Sequence, residues 1–160
     1  GLYKFSKDEV KLNGLFRELK TATVHMLHNE KRLTAKNIEI FAEIPLEDNV
    51  IVTDEWNFRQ VMVNLLSNAV KFTKNGTITF GYQPQENGIY FYVKDTGCRI
   101  SDRDQERIFN KFEKFDSYSM GTGLGLSLCK SIVRHLNGDL GVISNEGDGS
   151  TFWFVLKDLK

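Results

Sequence analysis

The strongest constraint on the fold is the spacing of the alternating segments. Thr77 to Tyr82 and Ile89 to Val93 alternate apolar and polar residues, and only Gln83 to Gly88 separates them. Asp139 to Ser144 and Thr151 to Leu156 repeat the arrangement around Gly147-Asp148-Gly149. Connections this short leave no room for a crossover helix, so both pairs are antiparallel hairpins. Ile38, Ile40, Ala42 and Ile44 alternate as a further strand, and Val50 to Val52 make a short one after the turn at Pro45 to Asn49. Asp8 to Asn13 alternates weakly and is expected at an edge.

Three segments have helical spacing. Leu15, Phe16, Leu19, Val24 and Leu27 define one, from Leu15 to about Asn29. Phe58, Val61, Leu65, Ala69 and Phe72 line one face of a second, which Thr53 or Asp54 caps and Asn75-Gly76 ends as a turn. Leu124 to Leu136 forms the third and stops at Asn137-Gly138. A short helix is expected from Asp102 to Phe109. The resulting class is α+β: a two-layer α/β sandwich, a mixed and mostly antiparallel sheet with three main helices on one face. The other sheet face must be partly solvated or covered by a partner. With 160 residues, 41% of them apolar and 12 of them Phe, the chain builds one core without staples.

Composition also excludes functions. Lys plus Arg and Asp plus Glu both number 21, and this zero net charge argues against nucleic acid as a partner. No apolar run reaches membrane-spanning length. Cys98 and Cys129 have no metal-ligand spacing and read as reduced thiols of a cytosolic protein.

Four groups of residues carry chemistry. Asn64, Asn68 and Lys71 share one face of the second helix. Asn is a poor helix former, so two beside an apolar stripe need partners. Those are either a neighbouring loop or a hard cation, with Lys71 reaching a phosphate. Asp95 ends a strand before Thr96-Gly97. A carboxylate there needs donors, either a backbone turn or an adenine amino group. Gly121-Thr122-Gly123-Leu124-Gly125-Leu126 opens a helix and offers amides to an anion, without matching the dinucleotide or Walker patterns. Finally, Phe109, Phe112 and Phe115 recur beside Lys111 and Lys114. They form either a packed helix end or an aromatic hinge under a lid.

In this order and spacing, the chain resembles the ATP-binding catalytic domain of bacterial sensor histidine kinases, in the GHKL or Bergerat-fold superfamily. Asn64 to Thr73 resembles the family's N box, and Asp95-Thr96-Gly97 its first glycine box. Phe109 to Phe115 resembles its F box, Gly121 to Leu126 its second glycine box, and Gly149-Ser150-Thr151-Phe152 its terminal strand motif. The resemblance implies ATP and Mg²⁺ as ligands. Asn68 would hold the metal through its side chain, Asn64 would lie near metal and phosphates, and Lys71 would meet a phosphate. Asp95 would accept from the adenine amino group, with Ser150 helping through water, and Gly97 and Ile100 would also belong to the nucleotide-binding residues. Lys111, Lys114 and the Gly121, Thr122, Gly123, Leu124 and Gly125 loop would surround the phosphates under a lid at about 113–122.

The resemblance also implies partners. A phosphoacceptor His lies on dimerisation helices of the full-length kinase, and a response-regulator receiver follows it. His25, His28 and His135 do not fit the acceptor motif. Residues 1–7 are therefore expected to be linker after those helices, 8–160 the catalytic domain, and the isolated domain monomeric. Its location would be cytoplasmic, as such or as the cytosolic part of a membrane-bound sensor. Arg99 departs from the family's pattern, where a second glycine is usual. If the position needs a positive φ, Arg costs about 1–2 kcal/mol. Nucleotide binding is then expected to be weakened but retained. The alternative is a pseudokinase, with or without nucleotide, that acts by docking.

Overall fold

The computed structural model describes residues 5–31, 37–97, 100–110, 125–145 and 149–157. A five-stranded sheet runs in the order β2 (Asn37–Glu43), β4 (Asn75–Gln85), β5 (Gly88–Asp95), β7 (Gly149–Lys157), β6 (Gly138–Asn145). β2 and β4 pair in parallel, and every other pairing in that sheet is antiparallel. β1 (Asp8–Lys11) and β3 (Val50–Thr53) form a separate antiparallel pair. Helices α1 (Leu12–Lys31), α2 (Glu55–Phe72) and α4 (Gly125–His135) cover one face, and α3 (Asp102–Gln105) is a single turn. The expected two-layer sandwich is present. No described helix is long and apolar enough to cross a membrane.

The hydrophobic period fixes the layers. Ile78, Phe80, Tyr82, Phe91, Val93, Phe152, Phe154 and Leu156 alternate along their strands and are all buried under the helices. From α2, Phe58, Val61, Leu65 and Ala69 are buried as the stripe requires, while Phe72 is only half-buried at the rim. Phe16, Phe58, Phe91 and Phe154 meet at ring separations of 4.8–6.4 Å in stacked, tilted and edge-on arrangements. The opposite sheet face is only partly shielded. There Tyr90 stacks on Tyr92 and Trp153, and Phe41 and Ile143 are exposed.

Three local expectations need correction. Asn75-Gly76 does not form the turn after α2. Both residues already belong to β4 and pair with Asn37 and Ile38. The chain reverses at Thr73-Lys74, and Gly76 supplies a φ of 131° at the strand start. The β4–β5 loop is also shorter than Gln83 to Gly88, because Gln85 pairs with Gly88 and leaves only Glu86-Asn87 as the turn. Pro84 is tolerated inside β4 because β2 ends opposite Gly81, so the missing N–H faces no partner strand. Finally, the helix expected over 102–109 stops at Gln105 and continues as turns. α4 ends as expected, with Asn137 at φ 63°.

α2 is anchored at its start by Asp54, which is buried. Its Oδ1 accepts from Asn57 N at 2.9 Å, the N-cap bond, and its Oδ2 accepts from Ser6 N at 2.8 Å. Burial alone would raise this carboxyl's pKa, but the hydrogen bonds from Asn57 and Ser6 outweigh it and hold the pKa below the usual carboxylate value. Asp54→Ala is expected to cost about 1–2 kcal/mol in chemical denaturation. A depressed pKa stabilises the fold above the unfolded value and ceases to do so as pH falls through the folded one. The wild-type advantage over Asp54→Ala should therefore shrink in acid, below about pH 4.

Candidate nucleotide site

The C-terminal end of α2 and the end of β5 meet at Gly97. A Cβ on this residue would lie 2.8 Å from Thr73 Oγ1 and 2.9 Å from Phe72 O, so the turn after β5 rests directly on the last residues of α2. Gly97 N donates to Asp95 Oδ1 at 2.9 Å, and Thr96 N donates to Thr77 O at 3.1 Å. The Asx turn weighed for Asp95 is thus present, but it occupies only one carboxylate oxygen.

Asp95 is 2% exposed. Burial pushes its carboxyl up to about 6, against opposing hydrogen bonds from the backbone of Gly97 and Ser150. Among the described residues, two buried side-chain atoms have no hydrogen-bond partner: Asp95 Oδ2 and Thr73 Oγ1. Such atoms are rare because each costs about 1–3 kcal/mol. Here the two flank the same glycine.

β7 and β6 close the site from below. Ser150 sits opposite Asp95 in the register. Ser144 Oγ accepts from Ile100 N at 2.7 Å, donates to Gly149 O at 3.0 Å, and lies 2.9 Å from Ser150 Oγ. Gln105 Nε2 donates to Ile100 O at 2.8 Å and Ser144 O at 3.2 Å. Ile100, 1% exposed, is therefore clamped on both its amide and its carbonyl. Phe109, the first ring of the predicted F box, packs edge-on to Phe152 at 6.0 Å.

Along α2, Asn64 and Asn68 are half-buried and Lys71 is exposed near the last turn. The Asn64 side chain meets the thiol of Cys129, a fully buried free cysteine whose pKa burial raises to about 12. Cys129 lies one turn into α4, so the start of α4 is beside the asparagine face of α2. Gly125 opens α4, and a Cβ there would meet nothing within 4 Å among the described residues. His25 and His28 are exposed on α1, and His135 ends α4, stacked 5.3 Å from Phe5.

The structure thus brings Asn64, Asn68, Lys71, Asp95, Gly97, Ile100, Gly125 and Ser150 to one end of the sandwich. Cys98, Arg99, Lys111, Lys114, Gly121, Thr122, Gly123 and Leu124 lie outside the described residues, as does the expected lid. Sequence reasoning assigned no role to Thr73 or Ser144. Thr73 closes the N-box run, but only its geometry shows an unmatched hydroxyl. Ser144 is one hydroxyl in an ordinary strand.

The family model for histidine kinase-, DNA gyrase B- and HSP90-like ATPases matches residues 53–160. The chain belongs to this family. Within these ATPases it is similar to the signal transduction histidine-protein kinase BarA of Escherichia coli, with 34% identity over 152 residues, 89% of this chain and 16% of that protein. The chain therefore spans only a small part of the curated kinase it matches. The crystal structure of full-length ShkA in complex with AMPPNP superposes with a TM-score of 0.84 at 28% identity, covering 100% of this chain and 33% of that one. The nucleotide-free catalytic domain of histidine kinase ThkA superposes with a TM-score of 0.79 at 28% identity, covering 96% and 98%. The chain is an ATPase-family domain of the histidine-kinase type.

Proposed function

We propose that this chain is the Mg·ATP-binding catalytic domain of a two-component sensor histidine kinase and donates the γ-phosphoryl group to a histidine on the dimerisation helices of its parent. The observation that carries this reading is the unmatched Asp95 Oδ2 beside Gly97. A buried acceptor, held open by a glycine at the end of a strand, fits an exocyclic amino group such as that of adenine. The half-buried Asn64 and Asn68 and the open space at Gly125 continue the site from the base towards the phosphates.

Each residue then has a distinct task. Asp95 orients the base, with Ser150 supporting it and Ile100 walling it in. Asn68 would hold Mg²⁺ through its side-chain carbonyl oxygen, and Asn64 would hold the neighbouring phosphate oxygens. Lys71 places a point charge on a phosphate, as do Lys111 and Lys114. Gly121, Thr122, Gly123, Leu124 and Gly125 present amides at the positive end of α4. When bound there, Mg²⁺ would supply positive charge to the transferring phosphoryl group. The protein supplies position and electrostatics, which is what this reaction chiefly requires. The response-regulator receiver meets the phosphohistidine afterwards, and the site is cytoplasmic because ATP is. The docking-module alternative rests on Arg99 alone.

The test mixes this domain with the phosphoacceptor helices of the parent kinase and γ-labelled ATP. Label should reach the histidine with Mg²⁺ present, and Asn68→Ala should slow transfer about 100-fold while leaving the fold intact. Normal transfer by Asn68→Ala would sink the assignment of the metal ligand, and no transfer by the wild type that binds ATP would sink the kinase reading.

A further inference from the structure

The sheet face away from the helices has no assigned task. Its outward residues stand in rows set by the strand register. Glu43, Gly81, Tyr92, Trp153 and Gly141 form one row across all the strands, and Gln83, Tyr90, Val155 and Asp139 form the next. The rings lie across the sheet and do not stand on it. Tyr92 reaches over Gly81 on β4, and its hydroxyl donates to Glu43 on β2. A Cβ on Gly141 would lie 2.6–3.0 Å from three atoms of the Trp153 indole, so that ring covers β6. Tyr90, beside both, is tilted only 27° from Tyr92 and 25° from Trp153, at ring separations of 5.8 and 6.2 Å. Two glycines thus make room for an aromatic shelf about 19 Å wide, the span of the sheet. The same two rows are acidic. Glu43 stands at one end and Asp139 at the other, both exposed, and neither has a basic partner among the described residues. Lys94 and Lys157 stand in the rows beyond, as does Glu39.

We propose that this face is an interaction surface for an extended, arginine-bearing segment of a partner protein, whose guanidinium groups lie on Tyr90, Tyr92 and Trp153 and meet Glu43 and Asp139 at the two ends. Charge complementarity selects the partner. Ring faces carry negative potential and attract a cation laid over them, and the flanking carboxylates add to that field. A purely apolar partner would strip water from both carboxylates without pairing them. The bases of a single-stranded nucleic acid would also stack on such rings, but the two carboxylates would face its phosphates. Arginine fits better than lysine. Its planar, weakly hydrated guanidinium stacks on an aromatic face and still offers paired donors to a carboxylate, whereas an ammonium is a strongly hydrated point charge. Arginines at alternate positions of an extended chain all point to one side, so three of them would span most of the shelf. The surface lies on the layer opposite α2 and α4 and does not depend on what the nucleotide site binds.

The probe is a capped Arg-Thr-Arg-Thr-Arg peptide, titrated into the isotope-labelled domain at low salt and followed by NMR. The Trp153 indole N–H should shift saturably. The indole of Trp56, exposed on α2 in the other layer, should stay still and serves as the internal control. The Lys-Thr-Lys-Thr-Lys peptide should bind about 5-fold or more weakly. Trp153→Thr, which keeps a good strand former, should weaken the arginine peptide about 5–10-fold. Glu43→Gln removes the charge but keeps an acceptor for the Tyr92 hydroxyl, so it tests the surface without disturbing the shelf; binding should fall about 3-fold. Urea unfolding of each variant checks that the sheet is intact. No saturable shift at roughly 5 mM peptide, equal binding of the two peptides, or undiminished binding by both folded variants would overturn the proposal. So would self-association of the domain that Trp153→Thr abolishes, or tighter binding of oligothymidylate than of the arginine peptide at Trp153.

Discussion

Asp95→Asn is expected to stabilise the nucleotide-free domain while removing its affinity for ATP. At pH 7 the buried carboxylate is ionised in a place that favours the neutral form, as its pKa of about 6 records. A carboxyl whose folded pKa is raised contributes stability that is complete below the unfolded value near 3.8 and is lost as pH rises through about 6. Above that, the charge is a net cost on the order of 2–3 kcal/mol, reduced in the variant by imperfect hydrogen bonding of the amide. Asp95→Asn should therefore melt higher than wild type at pH 7–8, and the gap should narrow as pH falls below about 6 and close towards pH 4. Differential scanning calorimetry across that range checks both the sign and the window. Nucleotide affinity should move the other way. An amide with its NH₂ towards the ligand cannot accept from an amino group, and leaving both groups unpaired costs about 100-fold or more. For wild type, ATP affinity should decline as pH falls through about 6, when Asp95 Oδ2 gains a proton.

The second large effect belongs to Gly149. It has φ 71°, and a Cβ there would lie 2.1 Å from Asp95 O and 2.7 Å from Thr96 Cα. These are backbone atoms of the neighbouring strand, so no rotamer change relieves the contact. Left-handed strain alone costs about 1–2 kcal/mol for a residue with a side chain. Forcing β7 away from β5 at the Asp95–Ser150 pair adds to it, so Gly149→Ala should lose about 3 kcal/mol or more in urea unfolding. What remains folded should bind ATP poorly, because the displaced backbone carries Asp95. An Ala variant with wild-type stability would show that β7 has room the structure does not contain.

The layers of the fold were legible because burial imposes a period. The α2 stripe and the alternating strands repeat at 3.6 and 2 residues, and those patterns survive without tertiary information. Asn75-Gly76 misled because a glycine beside a polar residue reads as a turn. Here the parallel partner β2, far away in sequence, recruits both residues into β4. Pro84 seemed to mark a loop, and only the early end of β2 leaves its side of β4 unpaired. At the site, Asn64, Asn68, Lys71 and Asp95 announced themselves as polar residues beside apolar runs, where their presence needs explaining. Thr73 gave no such signal. Its significance lies in a hydrogen bond that is not made, which only the packed structure can display. Ser144 likewise matters through Ile100 N and Gly149 O, partners that pairing of β6 with β7 brings together.

The most direct measurement is a calorimetric titration of the folded domain with ATP and ADP, with and without Mg²⁺, for wild type and Asp95→Asn side by side. Saturable binding by wild type that disappears in a well-folded Asp95→Asn is the expected result. No binding at millimolar nucleotide, or equal affinity in the two proteins, would contradict Asp95 as the base-recognising carboxylate of an ATP site.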